Sequence, residues 1–113
     1  MKHEAPAYQL IARKMPKRLF LEKVLGAMEE HLRLAGTYLD FAKSGLKKKH
    51  FKDAYDYSEI ALFRAHAIQT AEKTLRDLGI RWQEAIEFYN KAYFIAQEAN
   101  EMRENIFEVL CGR

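Results

Sequence analysis

The feature that most constrains the fold is the spacing of the apolar residues, which recur every three or four positions along most of the chain of 113 residues. Side chains at this spacing lie along one side of an α-helix, because a helix has about 3.6 residues per turn. Two such stripes run side by side through the first half of the chain, one containing Leu21 and Met28 and the other Val24 and His31. Two adjoining stripes predict a helix that contacts two neighbours.

Few residues interrupt this pattern, so we expect three long helices. Pro16 and Gly45 are predicted to bracket the first helix. The second follows a run of lysines and ends at Gly79, because glycine suits the left-handed residue that closes a helix. The third is predicted to start near Arg81 or Trp82 and to continue to the end of the chain. Each helix is then roughly 27 to 30 residues, or about 40 to 45 Å, long.

Short connections make successive helices antiparallel neighbours. The predicted fold is therefore all-α, an antiparallel up-down bundle of three long helices in one domain that spans residues 1–113. Residues 1–15 are expected to form a flexible or extended segment before the first helix. A break near Asn100 would divide the last helix and give four helices, although the apolar pattern continues in phase across it.

The composition supports this fold and excludes several classes of protein. The chain is 49% hydrophobic with five glycines and two prolines, which is too apolar for a disordered chain and too poor in turn residues for an all-β fold. No apolar run approaches the ~20 residues that a membrane span needs. The only cysteine, Cys111, excludes an internal disulfide and a cysteine-based zinc site. We expect a cytoplasmic protein without a membrane segment.

Basic residues are predicted to converge on one end of the bundle, where the first and third helices begin and the second ends. Cations at the start of a helix oppose the helix dipole, so the stability of the helices does not explain them. Such an end is typical of sites that bind phosphate, nucleic acid or an acidic peptide, although nearby carboxylates such as Glu72 partly neutralise it. The candidate anion-binding residues are Arg13, Lys14, Lys17, Arg18, Lys73, Arg76 and Arg81.

A second basic run surrounds the connection between the first two helices and has a simpler interpretation. It contains Lys47, Lys48, Lys49, His50 and Lys52. Lysines in the last turn of a helix are favoured by its dipole. We interpret this run as a solvated corner rather than as a nucleic-acid site.

Several aromatic residues cannot all face one seam of the bundle. Most are expected in the core, since aromatic residues at helical spacing are usually buried. The best candidates for an exposed apolar strip are Tyr55, Leu62, Phe63 and Phe94. Such a strip would receive a partner helix or complete a dimer, and simple packing within the bundle is the alternative.

No arrangement of residues in the sequence indicates catalysis or metal binding. His31 lies on the apolar face of the first helix and is interpreted as a partly buried, hydrogen-bonded residue of the core. Neither His31 nor His66 follows a glutamate at the Glu-x-x-His spacing of di-iron helical bundles. We therefore expect no enzyme activity, no cofactor and no metal.

The segment "YLDFAKSGLKKKHFKDAYDYSEIALFRA", residues 38–65, resembles the first hairpin of HEPN-type helical domains. "WQEAIEFYNKA", which begins at Trp82, is similar to the second helix of a tetratricopeptide repeat. The HEPN resemblance implies a component of a nucleic-acid-related or toxin–antitoxin-type system. HEPN ribonucleases need an arginine that is followed after four to six residues by a histidine, and no arginine here is so placed, so the resemblance does not imply nuclease activity.

The chain also resembles the flagellar secretion chaperones that hold flagellin. The similar stretches are "AYQ" at 7–9, "PKRLFL" at 16–21 and "FYNKAYFIAQEAN" at 88–100. This resemblance implies binding of an extended, partly helical tail in apolar grooves around the bundle. Taken together, the sequence predicts a non-enzymatic helical module that binds a protein partner or itself, with the HEPN-like component as the alternative.

Overall fold

The computed structural model describes residues 17–112, and over these residues the chain forms three helices: α1 (Lys17–Lys47), α2 (Phe51–Asp77) and α3 (Gln83–Leu110). They run up, down and up. The central helix is α2, which packs against both neighbours more extensively than these pack against each other. The predicted all-α, antiparallel three-helix fold is confirmed. The segment 1–15, predicted to be flexible or extended, lies outside the described residues.

The last helix continues through Asn100, so the bundle has three helices and not four. The amide of Asn100 is occupied by neighbouring side chains: its Nδ2 donates to Glu104 Oε1 at 3.4 Å, and its Oδ1 accepts from Arg103 Nη2 at 3.1 Å. A side-chain amide that is satisfied in this way does not compete with the backbone hydrogen bonds of the helix.

The connection between α1 and α2 is tighter than the sequence predicts. Gly45 does not end α1, which continues to Lys47. The left-handed position is instead taken by Lys49, with a φ of 63°. The His50 N–H donates to the Gly45 carbonyl at 2.8 Å and the Lys49 N–H donates to the Leu46 carbonyl at 3.0 Å, which is the hydrogen-bond pattern of a Schellman motif.

Gly45 has a packing role. A Cβ at this position would lie 3.2 Å from the Cβ of Ala54 on α2, closer than ordinary van der Waals contact. The glycine therefore lets the end of α1 approach the start of α2. Gly36, in the middle of the same helix, has open space where its Cβ would be.

The connection between α2 and α3 agrees with the prediction. Gly79 has a φ of 77°, and the Ile80 N–H donates to the Leu75 carbonyl at 2.8 Å. Gly79 therefore closes α2 as expected. The third helix begins at Gln83, and Trp82 before it is extended and offers no side-chain cap to the first turn.

The core consists of two clusters, one at each end of the bundle. Phe20, Met28, Ile68 and Leu75 fill the first cluster, where α1 begins and α2 ends. Ile106 is the largest fully buried side chain of the second cluster. Much of the remaining buried surface of α2 and α3 consists of alanines: Ala54, Ala61, Ala65, Ala71, Ala85, Ala92, Ala96 and Ala99.

The two glycines of α1 give a test of this packing. Gly36→Ala is expected to raise the free energy of unfolding by about 0.5–1 kcal/mol, because alanine loses less conformational entropy in a helix and no atom obstructs its Cβ. Gly45→Ala is expected to gain less or to destabilise, because its Cβ would press on Ala54. Denaturant unfolding of both variants measures the difference, and an equal gain at the two positions would contradict the close contact.

Candidate functional site

Two of the four residues of the predicted apolar strip are largely exposed. Phe63 on α2 is 68% exposed and Phe94 on α3 is 67% exposed. The ring of Tyr93 packs edge-to-face against Phe94, with 5.8 Å between the ring centroids, and Tyr93 is itself exposed. These side chains contribute little to the core, so the fold alone does not account for them.

The other two residues of the strip lie elsewhere. Leu62 is half-buried and packs against both core clusters, and Tyr55 is half-buried against the second cluster. Leu62 and Phe63 are adjacent on a helix, so their side chains point about 100° apart. Within residues 17–112 the structure shows no ring contact that joins Phe63 to Phe94. The four residues therefore differ in exposure, and only Phe63 and Phe94 are largely exposed.

Tyr55 instead lines a groove that the sequence did not reveal. The groove has a volume of about 400 Å³ and lies between α2 and the end of α3, where Phe107, 56% exposed, also lines it. Arg103, Glu104 and Glu108 complete its lining. Phe107 lies near the end of α3, where the sequence shows apolar residues at helical spacing. Whether Phe107 and Tyr55 line the same groove depends on how α2 and α3 are aligned, and the sequence alone does not determine that alignment.

Part of the predicted basic end comes together as expected. Lys73 and Arg76, near the end of α2, and Arg81, before α3, line two adjoining grooves of about 410 and 280 Å³ that share Arg76 and Tyr89. At the start of α1, Lys17 and Arg18 lie beside Trp82 around a separate groove of about 420 Å³. Arg13 and Lys14 lie outside the described residues.

Several of these cations are paired with a carboxylate on the same helix. Arg18 Nε donates to Glu22 Oε1 at 3.2 Å and Lys73 Nζ donates to Asp77 Oδ2 at 3.1 Å, and all four side chains are mostly exposed. Exposed pairs of this kind contribute at most about 1 kcal/mol to stability. These ion pairs lower the net positive charge of the basic end of the bundle, but they do not fix the conformations of its Lys and Arg side chains.

The Arg76 pair differs from these, because its carboxylate is buried. Arg76 Nε donates to Glu72 Oε2 at 2.8 Å, and Glu72 is only 5% exposed while most of the Arg76 guanidinium side chain stays at the surface. A buried carboxylate loses its hydration, so it needs such a partner. The pair therefore holds Arg76 against the wall of both grooves.

The lysine run at the other end of the bundle is a solvated corner, as predicted. Residues 47–50 are exposed, and α1 ends and α2 begins within this run. Lys52 Nζ donates to Asp56 Oδ2 at 3.2 Å, an exposed pair of the kind that stabilises an isolated helix only slightly.

His31 joins α1 to α2, in agreement with its interpretation as a hydrogen-bonded residue at the core. Its Nδ1 lies 3.3 Å from Arg64 Nη1. Arginine only donates, so Nδ1 accepts and the proton of the neutral ring is on Nε2. Burial, followed by the charge of Arg64, lowers the pKa of His31, while Glu30 acts in the opposite direction. Arg64 Nε is also buried, and no acceptor for it is found among residues 17–112.

This contact predicts a loss of stability in mild acid. Because the pKa of His31 is lowered on folding, the unfolded chain binds a proton before the folded chain does as pH falls below 6.5, the ordinary value. The free energy of unfolding should therefore decrease in that range. His31→Gln should reduce the decrease, since glutamine keeps a polar side chain there but does not titrate.

Denaturant unfolding at pH 7.5 and at pH 5.5 measures this effect. His66→Gln is the matched control, because it removes an exposed histidine of α2 and leaves the contact between α1 and α2 intact. Equal pH dependence in the wild-type protein and in His31→Gln would contradict the assignment.

The described part of the chain shows no assembled metal site and no membrane helix. Within residues 17–112, no three His, Cys, Asp or Glu side chains are grouped so that they could hold a metal ion. None of the helices described there has a stretch long and apolar enough to cross a membrane. Comparisons of the chain with protein-family models, with curated proteins and with solved structures gave no match.

Proposed function

We propose that the protein is a non-enzymatic, cytoplasmic helical module that binds a protein partner or a second copy of itself through the exposed aromatic residues of α2 and α3. The observation that carries the proposal is the exposure of Phe63 and Phe94, which are 68% and 67% accessible on adjacent helices. Aromatic residues are enriched at interfaces because they bury a large area with few rotatable bonds.

The free energy available at these positions is large enough to matter for binding. Complete burial of a phenylalanine side chain stabilises by about 1.5–3 kcal/mol. Because two thirds of each ring remains in water, a partner that covers Phe63 and Phe94 would gain roughly 1–2 kcal/mol from each. The bundle itself does not use this energy, so the gain is available to a partner.

The most specific form of the proposal is a chaperone-like role suggested by the resemblance to flagellin-binding chaperones. An extended, partly helical segment needs several apolar contacts spread along the outside of a bundle. Phe94 and the groove between Tyr55 and Phe107 offer such contacts at different heights of α3. In this form the ligand is a segment like the flagellin tail.

The HEPN-like alternative is supported by a different observation, the grooves lined by Lys73, Arg76 and Arg81. A nucleic-acid-related component would bind through these cations. Its affinity would fall steeply as salt is added, since cations that contact phosphates release counterions. Apolar binding through Phe63 and Phe94 lacks this steep dependence, so a salt series separates the two functions.

Light scattering on the purified protein across a concentration series is the first test of the protein-binding proposal, followed by titration with a flagellin-tail segment. Phe63→Gln with Phe94→Gln should abolish the association found in either experiment. Both side chains point away from the core, so the free energy of unfolding should change by no more than about 0.5 kcal/mol.

Phe41→Gln is the matched control, because Phe41 is a phenylalanine that is 48% exposed on α1 and lies outside the proposed surface of α2 and α3. Loss of association in the double variant together with its retention in Phe41→Gln would assign binding to the Phe63 and Phe94 surfaces. A wild-type protein that stays monomeric and does not bind the tail would contradict this form of the proposal. So would a double variant that associates normally.

A further inference from the structure

The two grooves that share Arg76 and Tyr89 have the chemistry of an anion site. The first, of about 280 Å³, is lined by Glu72, Arg76, Arg81, Ile86, Tyr89 and Asn90. The second, of about 410 Å³, is lined by His66, Gln69, Thr70, Lys73, Arg76 and Tyr89. Each combines cationic groups with neutral hydrogen-bond donors, and together they form one surface between the end of α2 and the first turns of α3.

The stability of the fold does not explain the presence of the ion pair between Glu72 and Arg76 in this position. A buried carboxylate loses its hydration, and pairing it with a cation is often no more stabilising than an apolar residue of similar volume would be. Ile68 and Leu75 of the first core cluster lie about one helical turn on either side of position 72, so a leucine there would extend the same apolar stripe. What the pair does provide is orientation, because Glu72 holds the Arg76 Nε at 2.8 Å.

Orientation of this kind prepares an arginine for a ligand. With Nε directed to Glu72, the terminal nitrogens of Arg76 remain free to donate to an anion at the wall of the grooves. An arginine side chain that is already fixed by a hydrogen bond loses less conformational entropy when it binds a ligand. The planar guanidinium group also presents its N–H donors in a geometry that matches the oxygens of a phosphate. Glu72 is therefore a positioning residue, and Arg76 is the contacting one.

Arg81 provides a second cation that the fold does not require. It precedes α3, where a positive charge opposes the helix dipole. Among the ion pairs within residues 17–112, none involves Arg81. It lines the same groove as Arg76, and Asn90 and Tyr89 also line this groove.

We propose that these adjoining grooves bind a phosphate group carried by a small molecule or by the end of an oligonucleotide. Arg76 and Arg81 contact the phosphate, Lys73 adds charge from the second groove, and Glu72 positions Arg76. The combined size of the grooves accommodates a phosphate with an attached organic group. This site does not depend on the protein-binding function, because neither Phe63 nor Phe94 lines it.

Titration of the full chain with inorganic phosphate and with adenosine monophosphate at low salt tests the site. Binding can be followed by the NMR signals of the arginine side chains and by the rise in the unfolding midpoint that a ligand of the folded state produces. Arg76→Gln and Arg81→Gln should each weaken binding at least tenfold. Lys52→Gln, which removes one cation from the other end of the bundle, should leave it unchanged.

Glu72→Gln distinguishes a built site from a diffuse positive surface. Removal of a negative charge would tighten binding if only the net charge mattered. A positioning role predicts weaker binding, by several fold, although the positive charges are all retained. Phosphate that fails to saturate the protein at millimolar concentration would overturn the proposal. Tighter binding by Glu72→Gln, or equal losses in Lys52→Gln and Arg81→Gln, would overturn it as well.

A short single-stranded oligonucleotide with a terminal phosphate, compared with the same strand lacking it, identifies the source of the group. Stronger binding of the phosphorylated strand, lost in Arg76→Gln, would support an oligonucleotide end. Binding of adenosine monophosphate but of neither strand would support a small phosphorylated molecule. Equal binding of the two strands, unaffected by Arg76→Gln, would contradict a terminal-phosphate site. The variant with Phe63→Gln and Phe94→Gln should bind phosphate normally, so failure of one proposal is distinguishable from failure of the other.

Discussion

Close contact between α2 and both of its neighbours is the constraint on which the rest of this structure depends. Ala54, Ala61 and Ala65 on α2 are fully buried, and α3 also has buried alanines in both core clusters. Because an alanine side chain is small, helix backbones can approach closely where alanines line the contact. The larger residues Leu62 and Ile95 pack against both core clusters and join them. Phe63 and Phe94 lie on the opposite sides of their helices from the buried alanines and remain largely exposed.

Helical periodicity predicted the three helices because it reports directly which side of each helix is apolar. It was less informative about where the helices end, as two glycines show. Gly79 adopts the left-handed conformation that its position in the sequence suggests, whereas Gly45 lies inside α1 and faces Ala54. The two glycines look alike in the sequence. Only the contact between α1 and α2, which joins residues distant along the chain, separates a helix-closing glycine from a packing glycine.

Features of the candidate sites that depend on a single helix could be predicted from the sequence. The helical periodicity of α2 and of α3 was enough to identify Phe63 and Phe94 as exposed residues, because each lies on the side of its helix opposite the buried stripe. The periodicity of α2 did not predict the position of Tyr55, which is half-buried and lines a groove together with Phe107 of α3. Similarly, the sequence placed Lys73, Arg76 and Arg81 at one end, but it did not show that Glu72 is buried. Burial at the seam of α2 and α3 depends on how the two helices are aligned, and a single sequence does not fix that alignment.

The distribution of charge along α3 limits what kind of anion the basic end can accept. Beyond the grooves, the rest of α3 carries four carboxylates and two cations: Glu98, Glu101, Glu104 and Glu108 against Lys91 and Arg103. A long nucleic acid that extended from Arg76 along α3 would meet these carboxylates and be repelled by them. A single phosphate at the end of α2 avoids them, because charges more than about 8–10 Å away are largely screened at physiological salt. The same charge distribution disfavours a polyanion along the outer face of α3 but leaves Phe94 accessible to a neutral or basic protein segment. The two surfaces therefore select different ligands. The basic grooves select a phosphate through the oriented Arg76, and the exposed Phe63 and Phe94 select a protein segment through its apolar surface.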